Sequence, residues 1–182
     1  MKTNKCIVLV LIFAIFTPIG RLGANDLKNL QKIGDVLQFA IPVYAFGLSC
    51  GEEGYEGSKQ FIYSLAASQL SVHILKETTH QKRPDYQEGN KKRSFPSGHT
   101  SSAFCGASFI HRRYGFRQAI VPYGLAIATG ISRVQAKKHY IRDVIAGAAI
   151  SCLWTWCLVE KKTNIIIDTN GEFTKIAYEV DF

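Results

Sequence analysis

The chain has no cysteine and histidine set at metal-ligand spacing and no cluster of carboxylates, so the sequence offers a metal-dependent mechanism no ligands. It contains no internal repeat and no low-complexity tract, which excludes solenoids and disordered linkers. Charged residues make up only 20%, yet the mean hydropathy of +0.02 is low for a chain that is mostly transmembrane. The apolar run at the N-terminus, Cys6 to Phe16, falls short of the ~20 residues that a bilayer span requires. With Lys2 and Lys5 before it, the Thr17-Pro18-Gly20 break after it and Leu22-Gly23-Ala24 as a cleavage site, residues 1–24 read as a signal peptide or an uncleaved membrane anchor. Cys6 lacks a lipobox. The other cysteines, Cys50, Cys105, Cys152 and Cys157, sit in apolar surroundings and read as small buried hydrophobes rather than as a disulfide framework.

What the chain does have is enough apolar material, 47% of 182 residues, for one domain. It also has a localised positive charge. The net charge is +8, and residues 76–93, 111–117 and 132–143 hold 13 of the 22 Lys and Arg but only 4 of the 14 Asp and Glu. The remaining 9 basic and 10 acidic residues nearly balance. A field concentrated in this way suits an anionic ligand.

Beyond the first run, five apolar segments alternate with charged loops. Leu27, Leu30, Ile33 and Leu37 recur at helical spacing after Asn25 or Asp26, toward a kink or break at Pro42. Further helices are expected over 60–75, from His99 to Tyr114 with Gly115 as a cap, over 118–131 with Pro122 in the opening turn, and over 141–159. Residues 164–180, centred on Asn170-Gly171, read as a β-hairpin. The expected fold is all-α: a bundle of five to six helices over 25–163, with a short C-terminal β-hairpin over 164–182. Several segments make short or polar spans; Gln69 and His73 interrupt the second. They suit a globular bundle, or one lying against a bilayer.

Three constellations stand in the loops: Lys76, six residues, then Arg83-Pro84; Pro96-Ser97-Gly98-His99; and Ser132-Arg133, five residues, His139, three residues, Asp143. Each of the two four-residue patterns has a chance of roughly one in 160,000 per start point, and the three-residue one roughly one in 8,000, so their ordered occurrence is not accidental. Singly, a histidine at a helix start is usually a cap and a His–Asp pair at i,i+4 is usually structural. The set over residues 76–143 resembles the signature of the type-2 phosphatidic acid phosphatase superfamily, shared with bacterial class A acid phosphatases and vanadium haloperoxidases. That resemblance implies a helical bundle and a phosphohydrolase that works through a covalent phosphohistidine, with no cofactor.

The chemistry of the residues agrees with the resemblance. Phosphoryl transfer asks mainly for positioning and charge neutralisation. Lys76 supplies a point charge, and Arg83 and Arg133 supply forks that bind two oxygens each. Ser97 has a hydroxyl to donate, and the Gly98 amide adds a helix N-terminus that a ligand can approach closely. His139 is the expected nucleophile and Asp143 the group that fixes its tautomer, within reach if the backbone between them is helical. His99 is the expected general acid, then base. His73, His80 and His111 match no position of the signature. The expected substrate is a phosphorylated lipid or a small phosphate ester, with membrane association and no nucleic-acid partner. Two competing readings keep parts of the pattern: a vanadium-dependent haloperoxidase, and a non-catalytic binder of anionic lipids, for which His99, His139 and Asp143 would be superfluous. Counting segments puts loops 76–98 and 132–140 on one face, outside the cytoplasm, with Arg112, Arg113 and Arg117 opposite.

Overall fold

A computed structural model describes residues 24–53, 55–85, 87–88, 93–161, 164–169 and 174–179. The signal or anchor expected over 1–24, apart from Ala24, and the hairpin turn at Asn170-Gly171 lie outside the described residues. Among the described residues five helices run in order: α1 (Ala24–Glu53), α2 (Tyr55–Thr79), α3 (Gly98–Tyr114), α4 (Phe116–Gln135) and α5 (Ile141–Leu158). Two strands follow, β1 (Asn164–Thr169) and β2 (Thr174–Glu179), paired antiparallel with Asn164 opposite Glu179 and Thr169 opposite Thr174. The expected helical bundle is therefore present.

Pro42 does not break α1, which continues to Glu53, and Pro122 lies deeper in α4 than the opening turn expected of it, because that helix starts earlier, at Phe116. A proline frees the carbonyl four residues back. For Pro42 that carbonyl belongs to Gln38, and the Ser102 hydroxyl on α3 donates to it at 2.8 Å. The neighbour supplies the bond that the proline removed, so the helix survives.

Helix α3 packs against all four others. Its run of Ser, Ala, Cys and Gly, with Phe109 and Ile110, suits that central place: nearly every side chain from Thr100 to Ile110 is buried. One core cluster, of Ala45, Phe61, Cys105, Phe109, Ile110, Tyr114, Ala119 and Val159, fills one end of the bundle, with Phe61 and Phe109 edge-to-face at 5.0 Å. A second, of Ile41, Ala103, Ala107 and Ala126, lies between α1, α3 and α4.

The helix contacts are otherwise rich in small hydroxyl residues. Ser101 meets Ser151 at 2.7 Å, Ser108 donates to Thr155 at 2.8 Å, and Ser64, Ser68 and Thr129 are fully buried. Large apolar side chains stand outside: Ile33, Val36, Phe39, Val43, Ile62, Leu70, Ile145 and Leu153 are each at least half exposed. Among the described residues two helices, α1 over Asn25–Gly51 and α5 over Ile141–Leu158, are long and apolar enough to cross a membrane. Among the described cysteines the burial expectation holds for Cys105 alone. Cys50 and Cys157 are exposed and Cys152 is half-buried, because apolar neighbours in sequence do not put a residue on the inward face of its helix.

Candidate active site

The three constellations meet at one end of the bundle, where α2 and α4 end and α3 and α5 begin. Local backbone chemistry explains the third spacing. Helix α4 closes with Lys138 N donating to Arg133 O at 3.0 Å and Lys137 N to Val134 O at 3.0 Å, while Lys137 takes the left-handed conformation at φ 54°. This pair of bonds is a Schellman closure. His139 N also reaches Arg133 O, at 3.3 Å, so five intervening residues are what the reversal needs to return His139 beside Arg133.

A second set of bonds brings the first constellation onto this turn. Asp85 N donates to Lys137 O at 3.1 Å, Lys138 Nζ pairs with Asp85 Oδ2 at 2.5 Å, and Arg142 donates to Gln81 at 2.7 Å. Arg83 is held within this strap. Its Nε is buried with no hydrogen-bond partner in the protein, a donor free for an anion. Lys76, in the last turn of α2, donates to the carbonyls of Arg93 (3.2 Å), Ser94 (3.5 Å) and Pro96. Burial and the nearby Arg83 push its ammonium down to about 8, against the pull of Asp143.

Ser97 caps α3. Its buried Oγ accepts from Thr100 Oγ1 at 3.0 Å and Thr100 N at 3.5 Å, which leaves its own hydrogen to donate. The amides of Gly98 and His99, first and second in the helix, have no carbonyl of their own helix to bond. A Cβ built at Gly98 would find only ordinary contacts, at 3.7 Å or more, with Val72, Gln69 and Lys76. No protein atom requires glycine there. Gly147 is the opposite case: its Cβ would lie 2.4 Å from Ser97 O, so α5 can press against the Ser97 loop only without a side chain at that position.

His139 is 3% exposed and Asp143 fully buried. The expected bond between them is not made. Tyr140 is extended, so the chain between them is helical only from Ile141, and His139 Nδ1 stands 3.6 Å from Asp143 Oδ2, beyond hydrogen-bond reach. That oxygen instead accepts from Ser94 Oγ at 2.5 Å and from Tyr140 N at 3.0 Å. Asp143 therefore braces the site loops at ion-pair distance from His139. Burial, then Lys76 and Arg83, hold the His139 imidazole well below its ordinary pKa, against Asp143, so it stays neutral.

Arg133 is 3% exposed, and each of its three nitrogens donates once, three of its five N–H donors in all: Nη1 to Asp35 Oδ1 at 2.5 Å, Nη2 to Gln31 O at 2.6 Å and Nε to Ser132 Oγ at 3.0 Å. Asp35 Oδ1 also meets His99 Nε2, at 3.1 Å. Burial and then Arg133 lower the His99 pKa, and Asp35 opposes them. Asp35 and Ser94 escape the sequence reading. A lone carboxylate between Ile33-Gly34 and Val36-Leu37 is a signal that could have found Asp35. Nothing in the pattern marks Ser94. Among the described residues no three His, Cys, Asp or Glu side chains come together as a metal site.

The sequence profile of the PAP2 superfamily matches residues 58–166, which span all three constellations. The chain belongs to the PAP2 superfamily. This PAP2 chain is similar to the lipid A 4'-phosphatase of Helicobacter pylori, with 35% identity over 83% of this chain and 80% of that protein. It is a phosphatase of the superfamily. Its fold is that of the crystal structure of LpxE from Aquifex aeolicus, with a TM-score of 0.65, 18% identity, and coverage of 87% of this chain and 96% of the other. The transmembrane PAP2-type phosphatidylglycerolphosphate phosphatase of Bacillus subtilis gives a TM-score of 0.62 at 20% identity over 85% and 91% of the two chains.

An open cleft of about 690 Å³ reaches the PAP2 site past Pro84, Tyr140 and Arg142 to His139. Val134 and Ile141 line both this cleft and an apolar groove of about 390 Å³ between α4 and α5.

Proposed function

We propose that the chain hydrolyses the phosphate of a membrane lipid without a metal, through a phosphohistidine on His139. The observation that carries this reading is a buried, neutral His139 beside Lys76 and the unpartnered Arg83 donor, opening onto a cleft that continues as an apolar groove. The glycine at position 98 adds support. A side chain there would be tolerated by the protein, so the space is better explained by a phosphate drawn against the Gly98 and His99 amides.

In the first step a nitrogen lone pair of His139 forms the N–P bond as the bond to the lipid oxygen breaks, and His99 gives that oxygen its proton. In the second, His99 takes a proton from water, whose oxygen displaces His139 from phosphorus. Lys76, Arg83, Arg133, the Ser97 hydroxyl and the helix-end amides neutralise the equatorial oxygens. Asp143 offsets the positive charge that develops on His139.

The lipid nature of the substrate rests on the inverted surface. Small hydroxyl side chains lie between the helices and large apolar ones face outward, as in a bundle packed within lipid. Phosphorylated lipid A leads among substrates, because a relative carrying 35% identity is named for it. The signal-like run over residues 6–16 supports a site end that faces away from the cytoplasm, whether that run is cleaved or remains as an anchor.

The test is rapid acid quench of the detergent-solubilised protein with phosphate-labelled lipid A and phosphatidic acid. An acid-labile, base-stable label should appear in the wild type and be absent from His139→Ala, which should still fold and release no phosphate. Turnover without such a label refutes the covalent route, and failure to release phosphate from either lipid refutes the substrate class.

A further inference from the structure

We infer that Asp35 is a positioning residue, which orients the His99 imidazole for proton transfer and ties it to the phosphate-binding Arg133. The inference deepens the proposed mechanism and rests on it. Asp35 Oδ1 is shared between His99 Nε2 at 3.1 Å and Arg133 Nη1 at 2.5 Å, and so joins α1, the start of α3 and the end of α4. A carboxylate–imidazole hydrogen bond of the kind that the sequence predicts for His139 and Asp143 is thus made in the structure by the other histidine.

A hydrogen bond from Nε2–H to a carboxylate fixes the tautomer and turns the second ring nitrogen toward the reacting oxygens. It also favours the protonated ring, which a general acid needs in the first step. Asp35 is supported in turn. Gly34 lets α1 lie against Ser132, and Gln31 O holds the other arm of the Arg133 fork. The carboxylate therefore sits in a fixed frame, although its own side chain is 42% exposed.

The charged groups that face His99 are Asp35 from α1, Lys76 from α2 and Arg133 from α4. Helix α5 meets the loop before α3 through Asp143, whose backbone O accepts from Ser97 N at 2.8 Å and whose carboxylate accepts from Ser94 Oγ at 2.5 Å. Two cations and burial act to discharge the ring, and Asp35 is the one anion opposing them.

The experiment compares wild type, Asp35→Asn and Asp35→Glu in phosphate release from a lipid phosphate over pH 4–9. The His99 ring is also titrated by NMR on protein carrying labelled histidine. Asparagine keeps the shape but loses the charge. It should lower the His99 midpoint, and with it the alkaline limb of kcat/KM, by about one pH unit, and should cut kcat tenfold or more. Glutamate should restore part of both. Vanadate affinity, read by inhibition, separates the two partners. If it weakens while the His99 midpoint stays in place, Asp35 serves Arg133 alone and the inference is overturned. An unchanged midpoint with unchanged turnover overturns it as well. Because the NMR midpoint needs no turnover, a wild type that releases no phosphate would refute the lipid phosphatase reading while leaving this inference to the titration.

Discussion

Replacing Gly34, which itself meets no substrate, with alanine presses on Ser132 and on the phosphate-binding Arg133. A Cβ at Gly34 would stand 1.9 Å from Ser132 Oγ, 2.8 Å from Arg133 Nη2 and 2.9 Å from Ser132 Cβ. Rotation of the serine cannot relieve this. Its hydroxyl is committed to Thr129 O at 2.7 Å and to Arg133 Nε at 3.0 Å, and its Cβ is too close as well. Helix α1 and the end of α4 must therefore part by an ångström or more. That would stretch the 2.5 Å and 2.6 Å bonds from Arg133 to Asp35 and Gln31 O beyond hydrogen-bond range. Overpacking of this kind costs about 1–3 kcal/mol. A displacement of ~1 Å at a phosphate-binding group costs about 10²-fold in turnover. The expected result for Gly34→Ala is a melting temperature several degrees lower and a kcat/KM for lipid phosphate release down about a hundredfold. Adding Ser132→Ala should recover part of the lost stability, because it removes the nearest clashing atom. A Gly34→Ala protein that melts with the wild type and turns over within twofold of it would show that α1 slides freely, and would refute this account of how Arg133 is held.

The pH profile should be bell-shaped in kcat/KM. His139 must be neutral to attack, and its lowered pKa puts the rise well below 6.5; His99 must carry a proton, and its lowered pKa makes activity fall as pH rises through a value below 6.5. An optimum on the alkaline side of 7 would contradict the assignment of His99 as general acid. Membrane orientation is testable with single cysteines in a background lacking the native ones. Glu88→Cys, at the site end, should react with an impermeant thiol reagent in intact cells, and Arg117→Cys, at the far end, should react only after lysis. The opposite pattern would reverse the proposed orientation.

The residues that meet at the candidate site were legible in sequence because they form patterns of fixed side-chain type and spacing. The six-residue step from Arg133 to His139 is the length of a helix closure, and the Ser97-Gly98-His99 run is a helix start; both are local events that sequence encodes directly. The helical class was legible for the same reason, since the apolar segments recur at lengths and spacings that only helices satisfy. Tertiary structure alone decided what each group is bonded to. Pro42 leaves α1 intact because Ser102, sixty residues on, reaches the carbonyl it frees. Asp143, four residues from His139, was expected to serve it, yet its carboxylate is drawn to Ser94 and Tyr140 N once the Ser97 loop and α5 close together across Gly147. Asp35 is 64 residues from His99 and 98 from Arg133 and carries no motif; it joins them because Gly34 has no side chain to hold α1 away. Hydrogen-bond partners depend on distances of a few tenths of an ångström, set by how whole helices pack, and such distances have no counterpart in a one-dimensional pattern.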